Sequence, residues 1–374
     1  AVKIQPVYSG PTVHVLDASR AVGVASALLD PNLKYSYYEE ICEEYEELRK
    51  DYYSQQSEKK LKSLNDARAN KPKINWNNYE APKPNIEGVK VFDSQDLREL
   101  VNYIDWNPFF SMWQLRGRYP NRSYPRIFND KRVGEQAKTL YDEACQMLEE
   151  IISKKSLTVK GVIGIFEARS DGDDIEITKD GNTYKFYTFR QQEINAVDGP
   201  SLAMSDFVHP KHDYVGFFAV TVHGAEEIAA EYERNHDDYK SIMVKALADR
   251  LVEAYAELLH YKVRTEYWGY VKTESLSSEE LIHEKYQGIR PAPGYPSQPD
   301  HSEKLTLWEV LDVKNKINMD LTESLAMTPA ASVCGLYFCH PNSRYFNLGP
   351  ISDEQVEDYA RRKGVSVDEV RKWI

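Results

Sequence analysis

Three observations predict an α+β fold. Strand-like and helix-like runs come in blocks without strict alternation. The strand-like stretch Ile175 to Phe189 is interrupted by Asp180-Gly181, a favoured hairpin turn. Ala137, Leu140, Tyr141, Ala144, Leu148 and Ile151 recur at helical spacing, the mark of a long helix with one apolar face.

Taken in order, Thr12 to Leu16 reads as a short buried strand and Ala18 to Leu29 as the helix behind it, a strand-helix unit without its sheet. Tyr37 to Tyr52 is helical with a narrow apolar stripe of Ile41, Tyr45, Leu48 and Tyr52. Residues 54–87 turn to Lys, Asn, Pro and Ser and read as a linker without regular helix. A helix around Leu97 to Tyr103 precedes the aromatic segment from Asp105 to Trp113, and a stronger helix spans Val133 to Ile152. Strands are expected at Leu157 to Phe166, Ile175 to Phe189, Tyr214 to Val222 and Val333 to Phe338, with the best helix at Ile242 to Val263. Two closing helices carry capping-box pairs, Ser352 with Gln355 and Ser366 with Glu369, separated by Gly364 as a stop.

Composition narrows the function. The 374 residues suffice for one large unit or two smaller ones, and 26 Tyr with 41% hydrophobic residues argue for a packed core. No run approaches the ~18 apolar residues of a membrane span, and the first residues lack the apolar stretch of a signal peptide, so a cytoplasmic location is expected. Four scattered Cys make no disulfide framework, and strand alternation puts Cys334 and Cys339 on opposite faces. A net charge of −12 disfavours nucleic acid as a partner. His209, His212 and His223 lack the clustered Cys or carboxylates of a metal site and read as surface histidines. Gly161-Val162-Ile163-Gly164 lies inside a strand, where its glycines mark close packing and not a phosphate loop.

The informative stretch is Arg290-Pro291-Ala292-Pro293-Gly294-Tyr295-Pro296. Its prolines fix φ and remove amide donors, which makes a stiff extended rail, and Gly294 admits a group close to the backbone. Arg290 offers a planar fork for a carboxylate, and Tyr295 an amphipathic ring. A structural surface loop is the plainer reading of a Pro-rich segment, but these flanking groups together suit a small amino acid with an aromatic appendage.

This stretch resembles the S-adenosylmethionine-binding signature of the activation domain of cobalamin-dependent methionine synthases. Asp105-Trp106-Asn107-Pro108-Phe109-Phe110, Met243 to Leu251, Leu321-Thr322-Glu323-Ser324 and Gln355 to Lys363 are similar to the family in order and spacing. The resemblance covers nearly the whole chain from the linker onward. It implies a C-shaped activation domain over residues 88–374, with a bent central antiparallel sheet flanked by long helices. It also implies that residues 1–30 are the last strand and helix of the preceding cobalamin-binding domain, with Ala18 near the nucleotide tail of the cofactor, and that 31–87 is a helical and Pro/Lys-rich linker. The Asp-x-His-x-x-Gly motif that supplies the family's lower cobalt ligand does not occur here. Zinc is expected only in a homocysteine-binding region outside this sequence.

The implied activity is that of a methyltransferase module: S-adenosylmethionine is bound as methyl donor for the reductive remethylation of oxidised cobalamin. By the resemblance, Asp105 meets the ligand's amino group, Arg290 its carboxylate, Tyr345 and Phe346 its amino-acid end, and the backbone at Ala292 and Gly294 its adenosine. Without the resemblance, Asp105 reads as a turn cap and Tyr345 as a core residue. Tyr295 is expected to face the corrin. Asp249 and Glu253, one helical turn apart, are expected to contact the cobalamin-binding domain or the ligand, with a solvated acidic face as the alternative. No general acid or base and no metal ligand is assigned. The implied partners are the cobalamin-binding domain and a flavodoxin-like or diflavin reductase electron donor, which would need a local Lys/Arg patch that the net charge conceals. The alternative functions are a non-catalytic S-adenosylmethionine-sensing module and a flavoprotein-docking module.

Overall fold

The computed structural model describes residues 1–57, 61–194 and 199–374. Its helices are α1 (Ala18–Leu29), α2 (Lys34–Ser57), α3 (Leu64–Ala69), α4 (Leu97–Val101), α5 (Trp106–Met112), α6 (Gly134–Lys154), α7 (Ala225–Arg234), α8 (Asp238–Lys262), α9 (Ser278–Ile282), α10 (Glu303–Leu311), α11 (Val313–Ile317), α12 (Asp353–Lys363) and α13 (Val367–Trp373). Its strands are β1 (Gly88–Phe92), β2 (Thr158–Asp171), β3 (Asp174–Lys179), β4 (Asn182–Phe186), β5 (Asp213–His223), β6 (Asp320–Leu321), β7 (Met327–Thr328) and β8 (Ser332–Tyr337).

β2 organises the sheet. One edge pairs antiparallel with β5, from Thr158 opposite His223 to Ala168 opposite Asp213. Its other edge is shared: β1 lies opposite Gly161 to Ile165, and β3 opposite Glu167 to Asp171. β4 lies outside β3 and β8 outside β5, which gives the order β4-β3-β2-β5-β8 with β1 beside β2. The β3–β4 turn is the expected one, with Asp180 at φ 51° and Gly181 at φ 78°, the left-handed pair a tight hairpin needs.

Both faces of the sheet are covered, so strand alternation sorts residues between two cores. Ile163, Ile165, Phe218 and Val220 face the helical layer of α4, α5, α6 and α8. Val162, Phe166, Phe217 and Ala219 face Leu307 and Leu311 of α10 and Ile317 of α11. Cys334 and Cys339 fall into different cores, as their spacing implies. α8 lies close to the sheet because Gly161 has no side chain: a Cβ there would stand 2.8 Å from the ring of Tyr255. A third, smaller core gathers Val356, Tyr359 and Val370 of the closing helices, where Tyr359 stacks on Phe189 at 4.0 Å. The α+β expectation holds, with an antiparallel sheet and long helices. No helix among the described residues is long and apolar enough to cross a membrane.

Three expectations need correction. Residues 12–16 form no strand, and none of the described residues pairs with them; the His14 N–H instead donates to the Tyr45 hydroxyl of α2 at 2.6 Å. Residues 54–87, read as free of regular helix, carry α3, whose Leu64 and Ala67 are buried. Charge anchors this segment. Arg68 of α3 reaches Asp173 at 2.7 Å, and the other oxygen of that carboxylate takes the Nε of buried Arg190 at 2.7 Å. Finally, only half of each capping box forms. In the first, Ser352 accepts from the Gln355 N–H, but the Gln355 side chain pairs with both backbone groups of Arg190, at 2.7 and 3.0 Å. The buried backbone groups of Arg190 outcompete the local cap. In the second, Ser366 accepts from the Glu369 N–H, while the Glu369 carboxylate takes the Trp373 indole N–H at 2.7 Å.

Arg190 also grips Asp206 with two bonds of 2.8 Å, and both side chains are nearly excluded from solvent. Arg190→Met would leave Asp206 buried without its cation and is expected to cost about 3–5 kcal/mol of stability in urea melts. A midpoint within experimental error of wild type would show that Arg190 is not what holds this corner.

Candidate functional site

A cavity of about 400 Å³ opens between the start of α5, one face of α8, the end of α9 and the start of the proline rail. Its charged lining is Asp105, Arg250, Glu253, Glu257, Glu284 and Arg290. Arg250, Glu253 and Glu257 stand three and four residues apart, so the geometry of α8 aims them from one face.

Asp105 is there because it begins α5. Its Oδ1 accepts from the Asn107 backbone N–H at 3.0 Å and from the Asn107 side chain at 2.8 Å. The cap reading is therefore correct, and it fixes the carboxyl group at the cavity wall with Oδ2 free of protein hydrogen bonds among the described residues. Arg290 is held from several sides. Its Nη2 pairs with Glu257 at 2.8 Å, its Nη1 donates to the Tyr286 hydroxyl at 3.1 Å and approaches His260 Nδ1 at 3.4 Å, and its backbone N–H donates to the Tyr345 hydroxyl at 2.9 Å. Desolvation opposes the Arg290 charge, but Glu257 and Tyr286 more than offset it, so its pKa is raised. Burial pushes the Glu253 carboxyl up against the pull of Arg250 and Arg290, and burial likewise raises Glu284.

The rail follows β8. Ile289 and Phe338 exchange backbone bonds of 3.0 Å, and the Leu336 N–H donates to the Pro291 carbonyl at 2.8 Å. At Gly294, φ is 92°, and the Gly294 N–H closes a turn on the Gln298 carbonyl at 2.7 Å. The group that approaches this glycine is the His301 ring, 2.4 Å from where a Cβ would stand.

The structure thus brings Asp105, Arg290 and Glu253 into one cavity. Tyr345 stands one bond behind, as the acceptor for the Arg290 backbone. Asp249 pairs with the side chain of Arg250. Tyr295 is 61% exposed, and desolvation first and then the charges of groups that include Glu253 and Asp249 raise its hydroxyl pKa. Ala292 and Gly294 lie on the rail and do not line the cavity. Phe346 packs with Phe207 against the core beneath the sheet, and Ala18 is exposed at the start of α1. Sequence reasoning missed Arg250, Glu257, His260, Glu284 and Tyr286. Continuing the Asp249–Glu253 spacing by one more turn would have found Glu257.

Residues 96–364 match the family model described as vitamin B12 dependent methionine synthase, activation domain. The chain belongs to this family. It is also similar to a solved structure described as the MetH reactivation domain bound to AdoHcy, with 47% sequence identity and a TM-score of 0.78. That match covers 84% of this chain and 97% of the other. An activation domain of a methyltransferase is thus established, with a cobalamin-dependent enzyme as its context.

In this activation domain Gly294 is doubly constrained, by its left-handed φ and by the His301 ring. Gly294→Ala is expected to lose roughly 1–3 kcal/mol of stability in thermal or urea melts. Wild-type stability would mean that the rail relaxes freely at this point.

Proposed function

We propose that this chain binds S-adenosylmethionine in the cavity bounded by Asp105 and Arg290 and presents its methyl group to cobalamin held by a neighbouring domain. The observation that carries the reading is that these two residues, far apart in sequence, face one cavity with opposite charges. An amino acid needs such a pair, one carboxylate for its ammonium and one guanidinium fork for its carboxylate. The cavity also holds four carboxylates, Asp105, Glu253, Glu257 and Glu284, against two guanidiniums, Arg250 and Arg290. That excess of negative charge favours a ligand whose sulfonium makes it a net cation. The AdoHcy in the similar structure supports the same ligand class.

Cobalamin supplies the methyl-accepting centre when bound. The residues present suit a contact with it more than a pocket for it: the exposed Tyr295 ring offers flat surface to a corrin. The chain's own contribution is to bind the donor, orient its methyl group and exclude water, and the transfer asks no side chain to take or give a proton. Ala292 and Gly294, on the rail outside the cavity, would meet the adenosine only where the ligand extends past the cavity mouth, and Tyr345 would act by fixing the Arg290 backbone.

Arg290→Ala should weaken S-adenosylmethionine binding about ten- to a hundredfold, the worth of hydrogen bonds to a charged group. Arg290→Lys should recover little, since an ammonium lacks the planar fork. Asp105→Asn keeps the cap on α5 while removing the countercharge, so affinity should fall with little change in melting temperature. Calorimetric titration of the three variants beside thermal melts reads both effects; wild-type affinity in folded Arg290→Ala would remove the centre of the assignment.

A second surface favours docking of an electron donor. Arg116, Arg118, Arg122, Arg126, Lys131 and Arg132 are all exposed, none makes a salt bridge among the described residues, and Asp130 is the sole acidic residue between them in sequence. This run of exposed cations supports the reading, because an acidic flavoprotein needs a local basic patch to dock on. With a flavodoxin as reductant and a separate cobalamin-binding domain, Arg118→Glu with Arg122→Glu should slow remethylation severalfold and flatten its salt dependence. An unchanged rate and salt dependence would place the donor elsewhere.

A further inference from the structure

The polar row of α8 does not end at the cavity. Past Glu257, the next positions on that face are His260 and then Arg264, where the helix passes into a π-helical turn at Val263–Tyr267. His260 is fully buried. Its ring is stacked on Tyr337 at 5.2 Å and an interplanar angle of 16°, and the Tyr286 ring meets it edge-on at 4.9 Å. These rings fix the imidazole plane and aim Nδ1 at the Arg290 guanidinium. A guanidinium has N–H donors and no acceptor, so this contact takes Nδ1 as the unprotonated nitrogen of a neutral ring; the proton then sits on Nε2, which is buried without a hydrogen-bond partner among the described residues. The surroundings agree, because burial and then the charges of Arg264 and Arg290 push the imidazole well below its ordinary pKa.

An arginine side chain has five N–H groups. In Arg290, one on Nη1 goes to Tyr286, one is directed at His260, and one on Nη2 goes to Glu257. Two remain, on Nε and Nη2, the number that a carboxylate takes in a two-pronged contact. Arg264, which would otherwise compete for the same acceptors, is held apart by Glu274, at 2.8 and 2.5 Å, and by the Tyr286 ring at 4.3 Å.

We propose that His260 is a positioning residue for ligand recognition, a neutral acceptor that, with Glu257 and Tyr286, sets the Arg290 fork so that two N–H groups are left for the ligand's carboxylate. The inference rests on the reading of Arg290 given above. It assigns the buried histidine a role in selecting amino-acid ligands over analogues that lack the carboxylate. Because His260 acts through Arg290, its effect must depend on that carboxylate, which a general role in packing would not.

The test is calorimetric titration of the 374-residue chain with S-adenosylmethionine and with its decarboxylated counterpart, for wild type, His260→Leu, His260→Asn and His260→Gln. Asn places an amide oxygen near the position of Nδ1, whereas Gln reaches toward Nε2. His260→Leu and His260→Gln should bind S-adenosylmethionine about tenfold more weakly, and the decarboxylated ligand within about twofold of wild type. His260→Asn should restore most of the loss. If His260→Leu does not fold, the comparison of Asn with Gln makes the same distinction. Equal losses for both ligands, or none for either, would overturn the inference while leaving the Arg290 site standing. Failure of the wild-type protein to bind S-adenosylmethionine would sink both together.

Discussion

The site depends on one constraint: α8 must press an apolar face onto the sheet while its other face stays charged at the edge of a cavity. Gly161 makes the first possible by leaving room for Tyr255, and buried Leu247, Leu251, Leu258 and Leu259 hold the helix in place. Once that face is fixed, the helical repeat leaves Arg250, Glu253 and Glu257 no direction but toward the rail. Arg290 is then gripped from α8 on one side and from Tyr345 on the other. The cavity is thus a by-product of packing, and the accuracy of its charges comes from the rigidity of the helix that carries them.

Much of this architecture was legible in the sequence. The hairpin at Asp180-Gly181, the long α6 and α8, and the serine caps of α12 and α13 are local in origin, and they appear where local chemistry puts them. What was not legible depends on distant partners. Residues 12–16 have the composition of a strand, but a strand needs a neighbour's backbone groups, and none among the described residues supplies them. Residues 61–87 have the composition of a linker and yet dock, because Arg68 finds a carboxylate that Arg190 also uses. Gln355 satisfies the local rule for a capping box and is drawn away by a buried peptide.

The site itself was half legible. Arg290 and Asp105 stood out through the proline rail and the resemblance it carries. Glu257 and His260 did not, since charged residues on a helix ordinarily read as its wet side, and only the fold shows that this side faces an arginine. Net charge is coarse in a similar way. At −12 it describes the chain and conceals the exposed cations from Arg116 to Arg132, which matter to any partner arriving within a Debye length of that surface.

The rail has a consequence beyond the ligand. Ile289 and Pro291 bond to β8, whose other edge belongs to β5, so the rail takes what would have been the last open edge on that side of the sheet. Proline offers no amide hydrogen, so Pro291 and Pro293 make a poor template for any further strand. The residues that bring Arg290 to the cavity also seal the sheet against pairing with another chain. A change that loosened the rail to admit a larger ligand would therefore expose a hydrogen-bonding edge, which ties ligand selectivity to resistance against aggregation.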